Sequence, residues 1–188
     1  MKYFGYIFLT LLSCSAEKRD LSNLYILSSS KEIVIHNEIV YFKNQRFNGC
    51  LYQLMPNKKD TLQIQFFKNG IYDGIFKKWY SNKQLMEYRV YKNGKKNGIQ
   101  VTFWKNGYKR FEYNAKNDTY DGEMSQWTNR GQLYHLAHYS NGQEEGSQKM
   151  WYENGKLRAN YVIINGKRYG LLGTKKCKNV SDFFYNNK

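Results

Sequence analysis

Apolar and polar positions alternate along most of this chain in short runs, separated by clusters of Asn, Gly, Ser and Lys. One stretch reads Gly74-Ile75-Phe76-Lys77-Lys78-Trp79-Tyr80, then Ser81-Asn82-Lys83-Gln84, then Leu85-Met86-Glu87-Tyr88-Arg89-Val90-Tyr91, then Lys92-Asn93-Gly94. Alternation of this kind marks a half-buried strand, and no segment carries a helical stripe of convincing length. Each run is about six residues, an ordinary strand length. Asn-Gly between apolar runs supplies the positive φ angles of a tight hairpin turn. Later copies place Asn106-Gly107, Arg130-Gly131 and Asn154-Gly155 at the middle of the unit. The pattern predicts one β-hairpin per unit.

The units recur. Gly stands at 74, 98, 122, 146 and 170, every step 24 residues. Asn stands at 69, 93, 117, 141 and 165 with the same step, followed by Gly70, Gly94, Asp118, Gly142 and Gly166. Trp79, Phe103, Trp127 and Trp151 form a ring column; Leu85, Leu133 and Leu157 form another, broken by Lys109. Gly49 begins a degenerate copy 25 residues before Gly74, which places one inserted residue around Pro56-Asn57. A lone hairpin is barely stable, whereas stacked hairpins supply each other's partner strands. The predicted fold is all-β: an elongated single-layer antiparallel sheet of tandem hairpins. Residues 32–73 form its N-terminal capping or degenerate repeat, 74–169 four 24-residue repeats, and 170–188 a terminal half-repeat and tail. The repeat glycines are expected where the chain turns between hairpins.

Residues 1–13 read as a signal peptide. Lys2 supplies a positive start, and Tyr3 to Leu12 is an apolar run too short to span a hydrocarbon core of about 30 Å. Leu11-Leu12-Ser13-Cys14 resembles a bacterial lipobox, which implies cleavage before Cys14 and its lipidation; an ordinary secretory signal with an incidental Cys is the other reading. Residues 14–31 then form a tether with room for one short strand. The expected location is the cell envelope, lipid-anchored, facing the periplasm or the cell surface. Cys50 and Cys177, the cysteines that remain, make neither a disulfide framework nor a metal cluster.

Charge adds a candidate partner class. Lys+Arg number 30 against 15 Asp+Glu, for a net charge of +15. A basic surface favours anionic partners. The same excess also follows from a composition rich in Lys, Asn, Tyr, Ile and Phe, and both readings stand.

The unit Gly-x-x-x-x-Trp/Phe-Tyr/Trp-x-Asn-Gly-x-Leu, followed by an aromatic and Asn-Gly-Lys-x-Asn/Asp-Gly, resembles the MORN repeat in the form common in bacterial lipoproteins. Many of those carry the label of YwqK-family antitoxins. The resemblance runs from about Val40 to Gly173. The tract from Val40 to Gly49 resembles the family's capping repeat, and Tyr169 to Cys177 its terminal half-repeat. Asp118 and Lys83 stand where Gly is usual. The resemblance implies a non-catalytic, membrane-anchored, protein-binding module of antitoxin or immunity type, a toxin being one candidate partner. The alternative is an envelope-structural protein that contacts phospholipid or peptidoglycan through a basic aromatic surface. Nucleic acid is not expected as a partner.

Residues one, three and five after each repeat Gly share a face, so Lys77 lies beside Trp79 and Lys149 beside Trp151. These six residues, Trp79, Phe103, Trp127, Trp151, Lys77 and Lys149, are the candidate binding set. The rings serve either as a ladder for a ligand or as the packing that a single-layer sheet needs. Whether the Leu column lies on the ring side is open, because the hairpin register is not fixed by sequence. No catalytic set emerges. His135 and His138 are three apart on a strand and point to opposite faces; Asp73, Asn97 and Asp121 are expected to form turns. No nucleophile elbow or nucleotide-binding fingerprint is present. No cofactor, metal or enzymatic activity is expected.

Overall fold

The computed structural model describes residues 24–173. Cys14 with its lipobox, and Cys177, lie outside these residues. The described chain is all-β, with sixteen strands. The N-terminal region carries β1 (Tyr25–Leu27), β2 (Ile33–His36), β3 (Ile39–Phe42), β4 (Gln45–Arg46), β5 (Gly49–Leu54) and β6 (Thr61–Lys68). Next come β7 (Ile71–Trp79), β8 (Leu85–Lys92), β9 (Lys95–Lys96), β10 (Gly98–Phe103), β11 (Lys109–Lys116) and β12 (Thr119–Trp127). The last are β13 (Leu133–Ser140), β14 (Gln143–Trp151), β15 (Leu157–Ile164) and β16 (Lys167–Leu171).

One large sheet runs β1-β5-β6-β7-β8-β10-β11-β12-β13-β14-β15-β16, with β9 on β8, and its two ends do not pair. From β5 onward each strand pairs antiparallel with the next, which is the stacked-hairpin fold read from the repeat. Eleven steps of about 4.8 Å make the sheet on the order of 50 Å across its strands. Two features depart from a uniform antiparallel single layer. β1 adds to β5 in parallel, pairing Tyr25 with Cys50 and Leu27 with Tyr52. β2, β3 and β4 form a separate small sheet. Val40 and Phe47 pack with Leu51 and Phe67 in a buried cluster, so the N-terminal end is two layers thick.

Two turn types alternate. Asn93 and Gly94 have φ of 49° and 81°, and the equivalent pairs at 69, 117, 141 and 165 match them. These are the two-residue primed turns that suit strand twist. The mid-unit turns differ from the expectation drawn from Asn-Gly. In Trp104–Tyr108 only Gly107 takes positive φ, at 94°. Gly107 N–H donates to Trp104 O, and Trp104 N–H to Tyr108 O, at 2.9 and 2.8 Å. This is a type I turn closed by a left-handed residue, and Lys83 fills the left-handed place at φ 67° in the first copy. The inserted residue lies where the spacing put it: Met55 N–H reaches Asp60 O across a loop one residue longer than Tyr80–Gln84.

The repeat glycines are not at turns, contrary to expectation. Gly122 and Gly146 lie inside β12 and β14, and Gly98 opens β10. Between Tyr113 and Ala115 of β11 one residue is opposed by three on β12, because Tyr113 faces Met124 while Ala115 faces Tyr120. Gly122 occupies this bulge at φ 97°, with Asn114 Cβ at 4.0 Å from where its own Cβ would stand. β13 and β14 repeat the arrangement around Gly146. This bulge holds its residue at positive φ, which glycine takes without steric cost.

Candidate binding surfaces

The register settles how the columns relate. Trp79 faces Leu85, Trp127 faces Leu133 and Trp151 faces Leu157, each just past a bulge. Directly opposed residues share a face, so the Leu column flanks the rings. The exception pairs with its own ring, Phe103 with Lys109. Lys109 also reaches over the Trp127 ring at 5.5 Å from its centroid. All four rings are half-buried, and no two of them stack on one another. Lys77 lies over the ring of Tyr88, its opposite residue, at 5.8 Å. A single cross-strand row then runs Lys77, Tyr88, Val101, Glu112, Ser125, Leu136, Lys149. Six strand steps, about 29 Å, separate the two lysines, and Glu112 lies between them. Lys77 and Lys149 are therefore on the expected face but do not make a continuous basic stripe.

The cations gather instead at the turns. At the mid-unit turns Lys105, Lys109, Arg110, Arg130, Lys156 and Arg158 are all exposed. Arg110 lies 4.6 Å from the Trp104 ring centroid and Arg158 lies 6.0 Å from that of Tyr152. The Trp column ends at these same turns, beside exposed Tyr108 and Tyr152. One long edge of the sheet thus combines indole, phenol and guanidinium groups. Its geometry is tied from repeat to repeat. Tyr80 hydroxyl donates to Phe103 O, Trp104 indole N–H to Trp127 O, and Asn82 and Asn106 amides to Lys105 O and Asn129 O. Each bond spans 23 residues, so the 24-residue period makes a ladder of cross-repeat ties.

The opposite face carries a second set of rings that sequence reading missed. Phe67, Tyr72 and Tyr91 lie ring against ring in series, tilted or stacked, at 4.7 and 5.0 Å between centroids. Tyr113, Tyr120 and Tyr139 do the same at 4.5 and 5.1 Å. Burial raises the pKa of Tyr72, Tyr91, Tyr113, Tyr120 and Tyr139, with the Arg89 guanidinium opposing that rise at Tyr91, Tyr113 and Tyr120. Because these rings lie against one another and are partly buried, they act as the sheet's packing. The signal for them was a doubled period of 48: Tyr72 and Tyr120, Tyr91 and Tyr139, Gln100 and Gln148, Tyr113 and Tyr161. Gln100 and Gln148 are buried to 1% and 0% exposure. Their amides donate to Val90 O and His138 O at 2.9 and 2.8 Å beside the bulges, and Val90 O also accepts the Asn97 N–H at 3.0 Å.

The polar residues set aside as non-catalytic find structural partners. Asp73 accepts the Asn93 N–H at 2.9 Å, and Asp121 the Asn141 N–H at 3.4 Å, so each carboxylate clips the next repeat's turn rather than shaping its own. His135 pairs with Gln126 and Met150, and His138 with Glu123, on opposite faces. Cys50 is buried, and that burial raises its thiol pKa. The described residues contain no group of three His, Cys, Asp or Glu side chains that could hold a metal ion. No helix among them is long and apolar enough to cross a membrane. No family model matches the chain, and no curated protein matches it.

Proposed function

We propose that this protein is a non-catalytic binding module whose working surface is the mid-unit turn edge, and that its partner is a protein with an acidic surface. The observation that supports this is the union of Trp79, Phe103, Trp127 and Trp151 with Arg110, Arg130, Lys156 and Arg158 along one edge. Trp, Tyr and Arg dominate binding hot spots because they offer large rigid contact areas with polar tips. The surrounding cations would draw in an acidic partner over a Debye length of about 10 Å. The resemblance to MORN lipoproteins labelled as antitoxins makes a toxin one candidate partner, and the lipobox-like Leu11-Leu12-Ser13-Cys14 fits a lipid anchor in the envelope.

A second reading keeps the same edge but gives it an anionic envelope surface. Indole and phenol rings beside Lys and Arg are also the residues that favour a membrane–water interface. The test begins with a pull-down by the mature chain from its own cells, with mass spectrometry of what stays bound. Binding to the recovered partner should weaken as salt rises, and Trp127→Ala or Trp151→Ala should reduce it with little change in melting temperature. Binding that ignores salt and tolerates both substitutions would remove this edge from the mechanism. Co-sedimentation with anionic vesicles or sacculi, without a protein partner, would favour the second reading.

A further inference from the structure

We infer that Asn165 is the modification site of this chain: in the folded protein it deamidates spontaneously ahead of every other Asn-Gly turn. Six hairpin turns contain Asn followed by Gly, at Asn69, Asn93, Asn106, Asn141, Asn154 and Asn165. In such a pair the Gly amide nitrogen gives up its proton to solvent base and attacks the Asn Cγ. The new C–N bond closes a five-membered succinimide, and the side-chain nitrogen leaves as ammonia. Water then opens the ring to aspartate or isoaspartate, turning a neutral amide into a carboxylate. The attack needs a nitrogen free to lose its proton and move.

Five of the six nitrogens are held. Gly70 N–H donates to Phe47 O at 2.8 Å, Gly94 to Tyr72 O at 2.7 Å and Gly107 to Trp104 O at 2.9 Å. Gly142 N–H donates to Tyr120 O at 2.8 Å and Gly155 to Tyr152 O at 2.9 Å. Gly166 N–H has no hydrogen-bond acceptor among the described residues. The clip one residue earlier is missing as well. Asn69, Asn93 and Asn141 N–H donate to Asn48, Asp73 and Asp121 side chains. In that column the residue for Asn165 is Glu145, and no such bond forms. A Cβ on Gly166 would meet nothing within 4 Å, so the ring has room to close. Two further Asn-Gly pairs run into strands instead, where Gly49 and Gly98 are paired opposite Phe67 and Ala115. The sequence itself supplies the control: Asn93, Asn154 and Asn165 are all followed by Gly-Lys. The residues that follow are the same, the preceding ones are Lys92, Glu153 and Ile164, and the unfolded chain reads what that difference alone contributes. Isoaspartate at Asn165 would lengthen the backbone inside the turn that opposes Ile164 to Lys167, loosening β16.

The experiment ages the mature full chain in mildly alkaline buffer and follows each Asn-Gly peptide by mass spectrometry with isoaspartate detection. Asn165 should convert at least about fivefold faster than Asn93 or Asn154, the factor that one ordinary net hydrogen bond represents. In concentrated urea the three rates should converge. N165Q should remove the fast phase while leaving the melting temperature close to that of the parent. Equal rates for the three sites in the folded chain would overturn the inference. A fast Asn165 that stays fast in urea would overturn it too, because the cause would then be local sequence.

Discussion

The two ends of the sheet are built from similar strands and finished in different ways. At the N-terminal end β1 covers the open edge of β5, and the small β2–β4 sheet lays Val40 and Phe47 over Leu51 and Phe67. At the C-terminal end no strand among the described residues lies beyond β16, which is exposed along its whole length, as are Ile164, Tyr169, Leu171 and Leu172. Repeat sheets depend on neighbours, so an end is stable only as far as something replaces the missing neighbour. The period alone does not distribute stability: two copies of one pattern differ by what covers them.

The largest effect should come from the covered end. Phe47 is 2% exposed and touches both layers. Phe47→Ala should cost about 3–5 kcal/mol, lowering the melting temperature by many degrees in a calorimetric scan. Hydrogen exchange should rank the native ends the same way, with β16 amides exchanging before those of β5 and β6. Equal protection at both ends would show that the β2–β4 layer adds no stability to β5 and β6.

Next come the bulges that join the ends. Gly122→Val forces a β-branched residue to φ 97° inside β12 and should cost about 2–3 kcal/mol. Gly166→Ala meets no neighbour and needs φ 73° only at the uncovered end, so it should cost about 1 kcal/mol or less. Lys149→Gln should change stability by no more than about 0.5 kcal/mol. Chemical denaturation of the three variants orders them, and a Lys149 variant as unstable as the Gly122 variant would remove the special role of the bulge.

How much of this was legible follows from what each feature needs. The 24-residue Gly and Asn columns needed only counting, and they fixed hairpins, order and the inserted residue near Pro56. The Trp79–Leu85 pairing needed a bulge that slips the register by one, and alternation along a strand cannot see a bulge in its partner. Gly122 was readable as a positive-φ position but not as a bulge rather than a turn, since glycine serves both. β1 is three residues, Tyr25–Leu27, too short to carry a pattern or a direction. The Tyr ladder was visible in principle as the doubled period of Tyr72 and Tyr120, which a search at 24 averages away. At the proposed edge the rings were legible; Lys77 and Lys149 share the ring face, and Arg110 and Arg158, which lie over rings at the turns, carry no column of their own in the sequence.

A smaller effect should separate clipped from unclipped turns. Asp73→Ala removes the acceptor for Asn93 N–H, an exposed bond worth about 0.5–1.5 kcal/mol. The same change should speed exchange of the Asn93 amide while leaving Asn165, which has no clip, as it was. An Asn93 amide that exchanges no faster in the variant would show the clip to be without consequence.

The smallest effect lies in the interior of the uncovered half, at His135. Burial lowers the pKa of its imidazole below the ordinary 6.5, and the nearby Glu144 carboxylate partly offsets this. Its ring Nε2 is buried and takes no hydrogen bond. With the folded pKa below the unfolded one, the unfolded chain binds the extra proton first as the solution is acidified. His135 therefore contributes full stability above 6.5, and that contribution is lost as pH falls from there through the lowered folded value. Below the folded pKa both states are protonated and the dependence from this residue flattens. Melting temperatures of the parent should fall over that window, and those of His135→Gln should fall less. A His135 variant with the parent's pH profile would place the titrating group elsewhere.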